Sequence, residues 1–274
     1  MRTHTNRKIW FIALLLLGFA AGCADLDKGL AGGGGGGGGG PVVVLGAAGG
    51  CAILGATPVV SNTGPTVVTG GDICISPALS FTGWARIDAG PGVLTPPGLF
   101  RAPSGLSLFP LCPPQCGPDP DPIPAQAQLD MLTAYNDLAG RTGGLPLPGD
   151  ISGLTLTPGI YKNASSTGIL SPAPGPLSIV TLDGLGNPDA VFIFQIGSAL
   201  TTNTGTQVKL TNGTQAKNVF WQVGSSATLG VNSTFNGSIL ALASITLDTG
   251  ATLNGRALAH TGAVTCDSNP VTVP

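Results

Sequence analysis

Charge is the first thing this chain has little of: Asp, Glu, Lys and Arg make up 9% of its 274 residues, against roughly a quarter in ordinary soluble proteins. Its net charge of −2 leaves no basic footprint for nucleic acid and no electrostatic hold on an anionic membrane. Histidine is almost missing, with only His4 and His260, and no Cys-x2-Cys pair occurs, so no metal site or other cofactor is expected. No Gly-x4-Gly-Lys-Ser/Thr phosphate loop is present. The closest acids within residues 41–274, Asp119 and Asp121, lie in a Pro-rich stretch and read as solvated turn residues rather than a glycosidase pair. Asp183, Asp248 and Asp267 read as turn formers, and His260 has no nucleophile beside it. No catalytic residue is therefore expected, and the chain is not read as an enzyme. Aromatics are few at 5%. A sugar-binding groove would want exposed aromatics along one side, and Trp84 and Trp221 are the only tryptophans after the N-terminal apolar segment. A carbohydrate-binding or adhesive surface protein is accordingly the second reading.

What is present begins with an export signal. Arg2, Arg7 and Lys8 precede an apolar run from Ile9 to Ala21, closed by Ala20-Ala21-Gly22-Cys23. The run is short for a membrane span, and the small residues before Cys23 resemble a lipobox, although Ala20 stands where such motifs usually carry Leu. Residues 1–22 are thus expected to be a signal peptide and Cys23 the lipidated residue, with ordinary secretion as the alternative. Asp25 to Lys28 and the glycine run Gly32 to Gly40 have nothing to bury, so 23–40 reads as a flexible tether. Residues 41–274 are expected to form one domain, exported and anchored at a bacterial cell surface, the outer membrane.

That domain is poor in charge and rich in Gly, Thr, Ser, Asn and β-branched residues, which predicts a mainly β fold with many tight turns. In an exported protein its five cysteines are disulfide candidates, and the odd number leaves one over. Cys112 and Cys116 enclose three residues and are expected to staple a loop; Cys51 and Cys74 are separated by about one coil and are the next pair.

Internal repetition carries more information than composition. Ala227-Thr228-Leu229 through Thr234-Phe235-Asn236-Gly237 overlays Ile245-Thr246-Leu247 through Thr252-Leu253-Asn254-Gly255 at an offset of eighteen residues. Val264-Thr265-Cys266-Asp267 is a partial third copy, and the text from Phe194 to Thr201 matches that from Trp221 to Thr228. Short alternating strands with Gly/Asn turns at this period predict a β-solenoid, in which each coil buries its apolar positions only by stacking on its neighbours. Alternation sends Ile245 and Leu247 inward and Thr246 outward, and it puts Thr201, Thr228 and Thr265 outward too, in a column at the inter-strand spacing of about 4.8 Å. One segment, about 124–139, breaks the pattern. Its helix formers, with Pro near the start, Gly140 near the end and Leu129, Leu132, Tyr135 and Leu138 at spacings of three, predict one amphipathic helix covering a side of the solenoid.

The segments Ala134 to Arg141, Leu156 to Tyr161, Ala190 to Ser198, Asn218 to Thr228 and Gly255 to Ala259 together resemble the widespread microbial ice-binding family. The resemblance runs from about Leu45 to the C-terminus and departs from the family in the Cys112 to Pro122 insert and the extra cysteines. It implies a right-handed, discontinuous β-solenoid of triangular section with one long helix alongside, N-terminal strands adding coils among the C-terminal ones, and an ice crystal surface as partner of what is expected to be a monomer. It also implies a flat ice-binding face with a loose Thr-Ala/Gly-x-Thr/Asn pattern. Versions of that pattern end at Thr66, Thr155, Thr201, Thr228, Thr246 and Thr265. The implied ice-binding residues are then Thr63, Gly64, Thr66, Gly153, Thr155, Ala199, Thr201, Ser226, Thr228, Ser244, Thr246, Ala263 and Thr265.

Overall fold

A computed structural model describes residues 42–105, 111–171 and 178–274. The expected signal peptide, Cys23 and the glycine tether lie outside the described residues. No helix among the described residues is long and apolar enough to cross a membrane.

The described residues form a β-solenoid with three parallel sheets of nine, seven and eight strands around one core. The repeat offset seen in sequence is the stacking offset in space: Ala227 pairs with Ile245, Phe235 with Leu253 and Ile239 with Ala257. Each pair is eighteen residues apart, so identical text occupies identical places on successive coils. Glycines make the corners this close stacking needs. A side chain at Gly255, whose φ is +157°, would collide with the carbonyl oxygen of Gly237 one coil away. At Gly224 it would meet the carbonyl of Gly197, and there the chain leaves one sheet for the next.

The solenoid is discontinuous. The C-terminal coil does not end the stack, because Val60 pairs with Val264, Val67 with Pro270 and Ile53 with Ala257. The N-terminal coils therefore continue the stack beyond it, joined through pairings between residues some two hundred positions apart.

Inside, aromatic residues fill the wider coils. Tyr161, Phe194 and Trp221 occupy one register row, with Phe194 and Trp221 stacked at 3.8 Å between ring centroids and Tyr161 stacked on Phe194 at 5.5 Å. The Trp221 indole N–H donates to the Asn236 carbonyl at 3.0 Å, which satisfies the one polar atom that burying a tryptophan brings in. Continuing along the row, Ile239, Ala257 and Ile53 are smaller, in step with coils shortened to eighteen residues.

The inner strands of the nine-stranded sheet are buried on both surfaces, as Cys51–Gly55, Phe192–Ile196 and Val219–Val223 show. Its outer surface lies under the helix Ile123–Gly140, so the covering helix expected from sequence is present, one residue longer at each end. The stripe it buries differs from the expected one. Pro124, Ala127, Gln128, Met131, Ala134, Tyr135 and Leu138 face the sheet, whereas Leu129 is 62% exposed. Spacings of three fall short of a turn by about 60° each, so Leu129 and Leu138 lie on opposite sides of the helix; mixed spacings of three and four stay on one side.

Glutamines lock the helix to the sheet. Gln195 donates to the carbonyls of Leu138 and Arg141 at 2.7 Å each, closing the helix C-terminus. At the other end Gln128 donates to the carbonyls of Gly55 and Ala259 at 3.1 Å, and its Oε1 lies 3.3 Å from Nδ1 of His260. His260 is thus part of a structural contact.

The disulfides Cys51–Cys74 and Cys112–Cys116 form as expected. The first ties two neighbouring coils on the helix side. The odd cysteine, Cys266, is fully buried in the core, and burial pushes its thiol pKa up to about 12. The Cys112 to Pro122 insert adds the edge of the stack: Phe100 donates its amide to Gln115 and accepts from Gly117. Asp121 is not the solvated turn residue expected. It is 1% exposed, pairs with Arg101 at 2.8 Å and accepts the Ile123 amide at the helix start. Arg101 also pairs with Asp72. Burial alone would lower the Arg101 pKa, but hydrogen bonds and charge attraction from both carboxylates raise it on balance.

Candidate functional site

With one sheet under the helix, two surfaces face solvent, and their outward residues differ in kind. The seven-stranded sheet is built from Thr167–Ile169, Leu200–Thr202, Ala227–Leu229, Ile245–Leu247, Val264–Cys266, Val60–Asn62 and Phe81–Thr82. In the three-residue strands that carry a central hydroxyl, the flanking residues are buried while the central one reaches the surface, the period-2 alternation of a sheet with one wet side.

The outward residues stand in exact register. Gly168 pairs with Thr201, Thr201 with Thr228, Thr228 with Thr246, Thr246 with Thr265, Thr265 with Ser61 and Ser61 with Thr82. Six consecutive positions of this row carry a hydroxyl. Neighbouring members are close enough to bond in places, as Ser61 Oγ donates to Thr265 Oγ1 at 3.4 Å. A second row, two residues earlier in the chain at each position, holds Ser166, Ala199, Ser226, Ser244, Ala263, Val59 and Ser80. The ladder carries on through it, with Ser226, Ser244 and Ala263 accepting the amides of Leu200, Ala227 and Ile245 at 3.0 to 3.1 Å. Neither row contains a charged or long side chain. About 4.8 Å therefore separates hydroxyls across strands and roughly 6.7 Å separates the rows along a strand.

The third surface is less regular. Its outward rows run Gln207, Thr234, Thr252 in one line and Thr155, Thr181, Lys209 in another. Asn254 Nδ2 donates to Asn236 Oδ1 at 2.9 Å, Lys209 projects into solvent, and Val67 and Val93 pair in register at 42% and 44% exposure. Long polar and apolar side chains break any lattice of hydroxyls there.

Eight of the sequence-derived positions, Ala199, Thr201, Ser226, Thr228, Ser244, Thr246, Ala263 and Thr265, come together on the seven-stranded sheet. The others do not. Thr66 is fully buried, where its Oγ1 accepts the Asn269 amide at 2.9 Å; Gly64 is buried as well, and Thr63 starts the turn into the third sheet. Gly153 occupies a turn at φ +76°, and Thr155 pairs with Thr181 on the third sheet. The two N-terminal-side motifs thus sit just past the strand that would have placed them on the face. The register positions on this sheet are held instead by Ser61 and Thr82, which the sequence pattern did not single out: they lie in Val60-Ser61-Asn62 and Phe81-Thr82, short hydroxyl alternations without a Thr-x-x-Thr frame. Asp150 bridges to Gly168 at the far edge of the row. Hydrogen bonds from the Ser152 hydroxyl first, and from the Ser152 and Leu170 amides, hold its carboxyl below the usual range, so a charged residue closes an otherwise open strand edge.

No cluster of metal-ligating side chains occurs among the described residues. Trp84 and Trp221 are both fully buried, so neither offers a sugar platform. Asp183 does serve as a turn former: it accepts the Leu185 amide at 2.9 Å and the Asn212 side chain at 2.8 Å, and these bonds lower its pKa.

Residues 53–272 match the family described as ice-binding-like. An ice-binding protein of Nostoc sp. (strain HG1) is 44% identical over 229 residues, covering 83% of this chain and 72% of that one. Ice-binding protein 1 of Shewanella frigidimarina is 38% identical over 54% of this chain, which spans 16% of that longer protein. Among solved structures, an ice-binding protein from an Antarctic biological consortium superposes with a TM-score of 0.71 at 42% identity, covering 85% of this chain and 91% of that one. The ice-binding protein of the Antarctic ascomycete Antarctomyces psychrotrophicus gives 0.69 at 35% identity, covering 85% and 98%.

Proposed function

This chain belongs to the ice-binding-like family, and from that premise we propose that it adsorbs to ice through its seven-stranded sheet and restrains ice growth and recrystallisation. The observation that carries this reading is the register row from Thr201 through Thr228, Thr246, Thr265 and Ser61 to Thr82. Each threonine presents a methyl and a hydroxyl, a pair that can hold ordered water. Parallel strands fix the spacing in advance, so few side-chain rotamers are lost when a crystal surface is met. The row of Ala199, Ser226, Ser244 and Ala263 beside it is short enough to leave that surface in reach.

The same reading assigns the N-terminal segment. Residues 1–22 direct export, Cys23 carries a lipid, and residues 23–40 tether a monomeric 41–274 domain at the cell surface, where ice is met from outside. A detergent-phase partition assay on cell membranes tests it: the wild type is expected in the detergent phase, and Cys23→Ala is expected to leave it. Equal partition of both would leave secretion as the route.

Ice recrystallisation measured with the purified protein tests the function. Grain growth slowed at micromolar or lower concentration is the expected result. Coarsening at the rate seen with a control protein would remove the proposal.

A further inference from the structure

Away from the hydroxyl rows, a cleft of about 570 Å³ opens where the stretch from Val42 to Gly49 passes over the helix-side sheet. Val42, Leu45, Val191 and Phe220 form its apolar side, Asp189 and Asn218 are polar members of its wall, and two cations, Arg256 and Lys217, reach it. Arg256 has one hydrogen bond of its own, from Nε to the Gly49 carbonyl at 3.0 Å, out of the five N–H donors a guanidinium carries. Among the described residues none of the ion pairs includes Arg256, Lys217 or Asp189, the acid at the cleft wall. Burial without a compensating acid also lowers the Arg256 pKa. A partly desolvated guanidinium with only its Nε engaged, in a cleft of small-molecule size with one apolar side, suits one chemistry best: a carboxylate on an apolar body, taken by the two Nη groups.

We propose that this cleft is a second binding site, for a small carboxylic acid with an aliphatic or aryl body, its carboxylate held by the Arg256 fork and the Lys217 ammonium and its body laid against Val42, Leu45, Val191 and Phe220. The site is separate from the hydroxyl rows and works whether or not ice is present.

Calorimetric titration of the purified protein with octanoate, and with octanol as the uncharged match, reads this directly. Octanoate is expected to bind one site at least about tenfold more tightly than octanol. Lys217→Gln is expected to weaken octanoate several-fold. Arg256→Lys, which keeps the charge but removes the fork, is expected to weaken it by about tenfold or more, with the melting temperature recorded beside it. Ice recrystallisation inhibition is expected to be unchanged in Lys217→Gln. No octanoate binding, equal binding of acid and alcohol, or wild-type affinity in a folded Arg256→Lys protein would each overturn the proposal.

Discussion

Thr246 and Leu247 are neighbours with opposite duties, and the sheet assigns them by nothing more than alternation. Leu247 is 1% exposed between coils, so Leu247→Ala is expected to cost roughly 2–5 kcal/mol through lost burial and the cavity left behind, read as a shift in the denaturant midpoint. Cys266 is the inward partner on the next coil. Its thiol is neutral in the fold, with a pKa pushed up from 9.0 to about 12, whereas the unfolded chain ionises it from about pH 9. The stability this contributes is whole below the unfolded value and is lost as pH rises toward the folded one. Between about pH 8 and about pH 10 the native protein is therefore expected to lose about 1.4 kcal/mol more than Cys266→Val, measured by denaturant unfolding. Equal losses in the two proteins would mean that the thiol is open to water.

At the scale of elements, the strands were more legible than the helix. Alternation survives in three residues, so Ala227–Leu229 and Ile245–Leu247 could be oriented from text alone. The helix could be located but only half oriented: Tyr135 and Leu138 of the expected stripe are buried, whereas spacings of three carried the stripe away from the sheet at Leu129 and passed over Ala127, Met131 and Ala134, which are smaller or less regular. The expected consequence is an asymmetry in stability. Leu129→Gln is expected to stay within about 0.5 kcal/mol of wild type, and Met131→Ala to cost roughly 2–5 kcal/mol; thermal unfolding of both checks it. The buried glutamines were visible as recurring Phe-Gln-Ile and Trp-Gln-Val text, yet a repeat shows that a residue matters without showing that its amide will cap a helix from the sheet below.

For the whole molecule, the C-terminal half was legible because its coils repeat the same words at the same interval, and stacking follows from burial. The junction of Val60 and Val67 with Val264 and Pro270 left no such mark: a parallel pairing across two hundred residues is chosen by the shape of the whole stack, not by local pattern. The same lack of a local mark separates the motif of Thr63, Gly64 and Thr66 from Ser61, which holds the register position on the seven-stranded sheet. The central claim, that one of two free sheets meets ice, has a direct test in two matched variants. Thr228→Tyr puts a bulky ring in the middle of the hydroxyl row, and Thr252→Tyr puts the same ring on the third sheet, both at partly exposed positions where stability should hardly change. Recrystallisation inhibition is the measurement, with melting temperature alongside: Thr228→Tyr is expected to lose most of its activity and Thr252→Tyr to keep it, at melting temperatures close to wild type, whereas a fully active Thr228→Tyr beside an inactive Thr252→Tyr would move the ice-binding face to the third sheet.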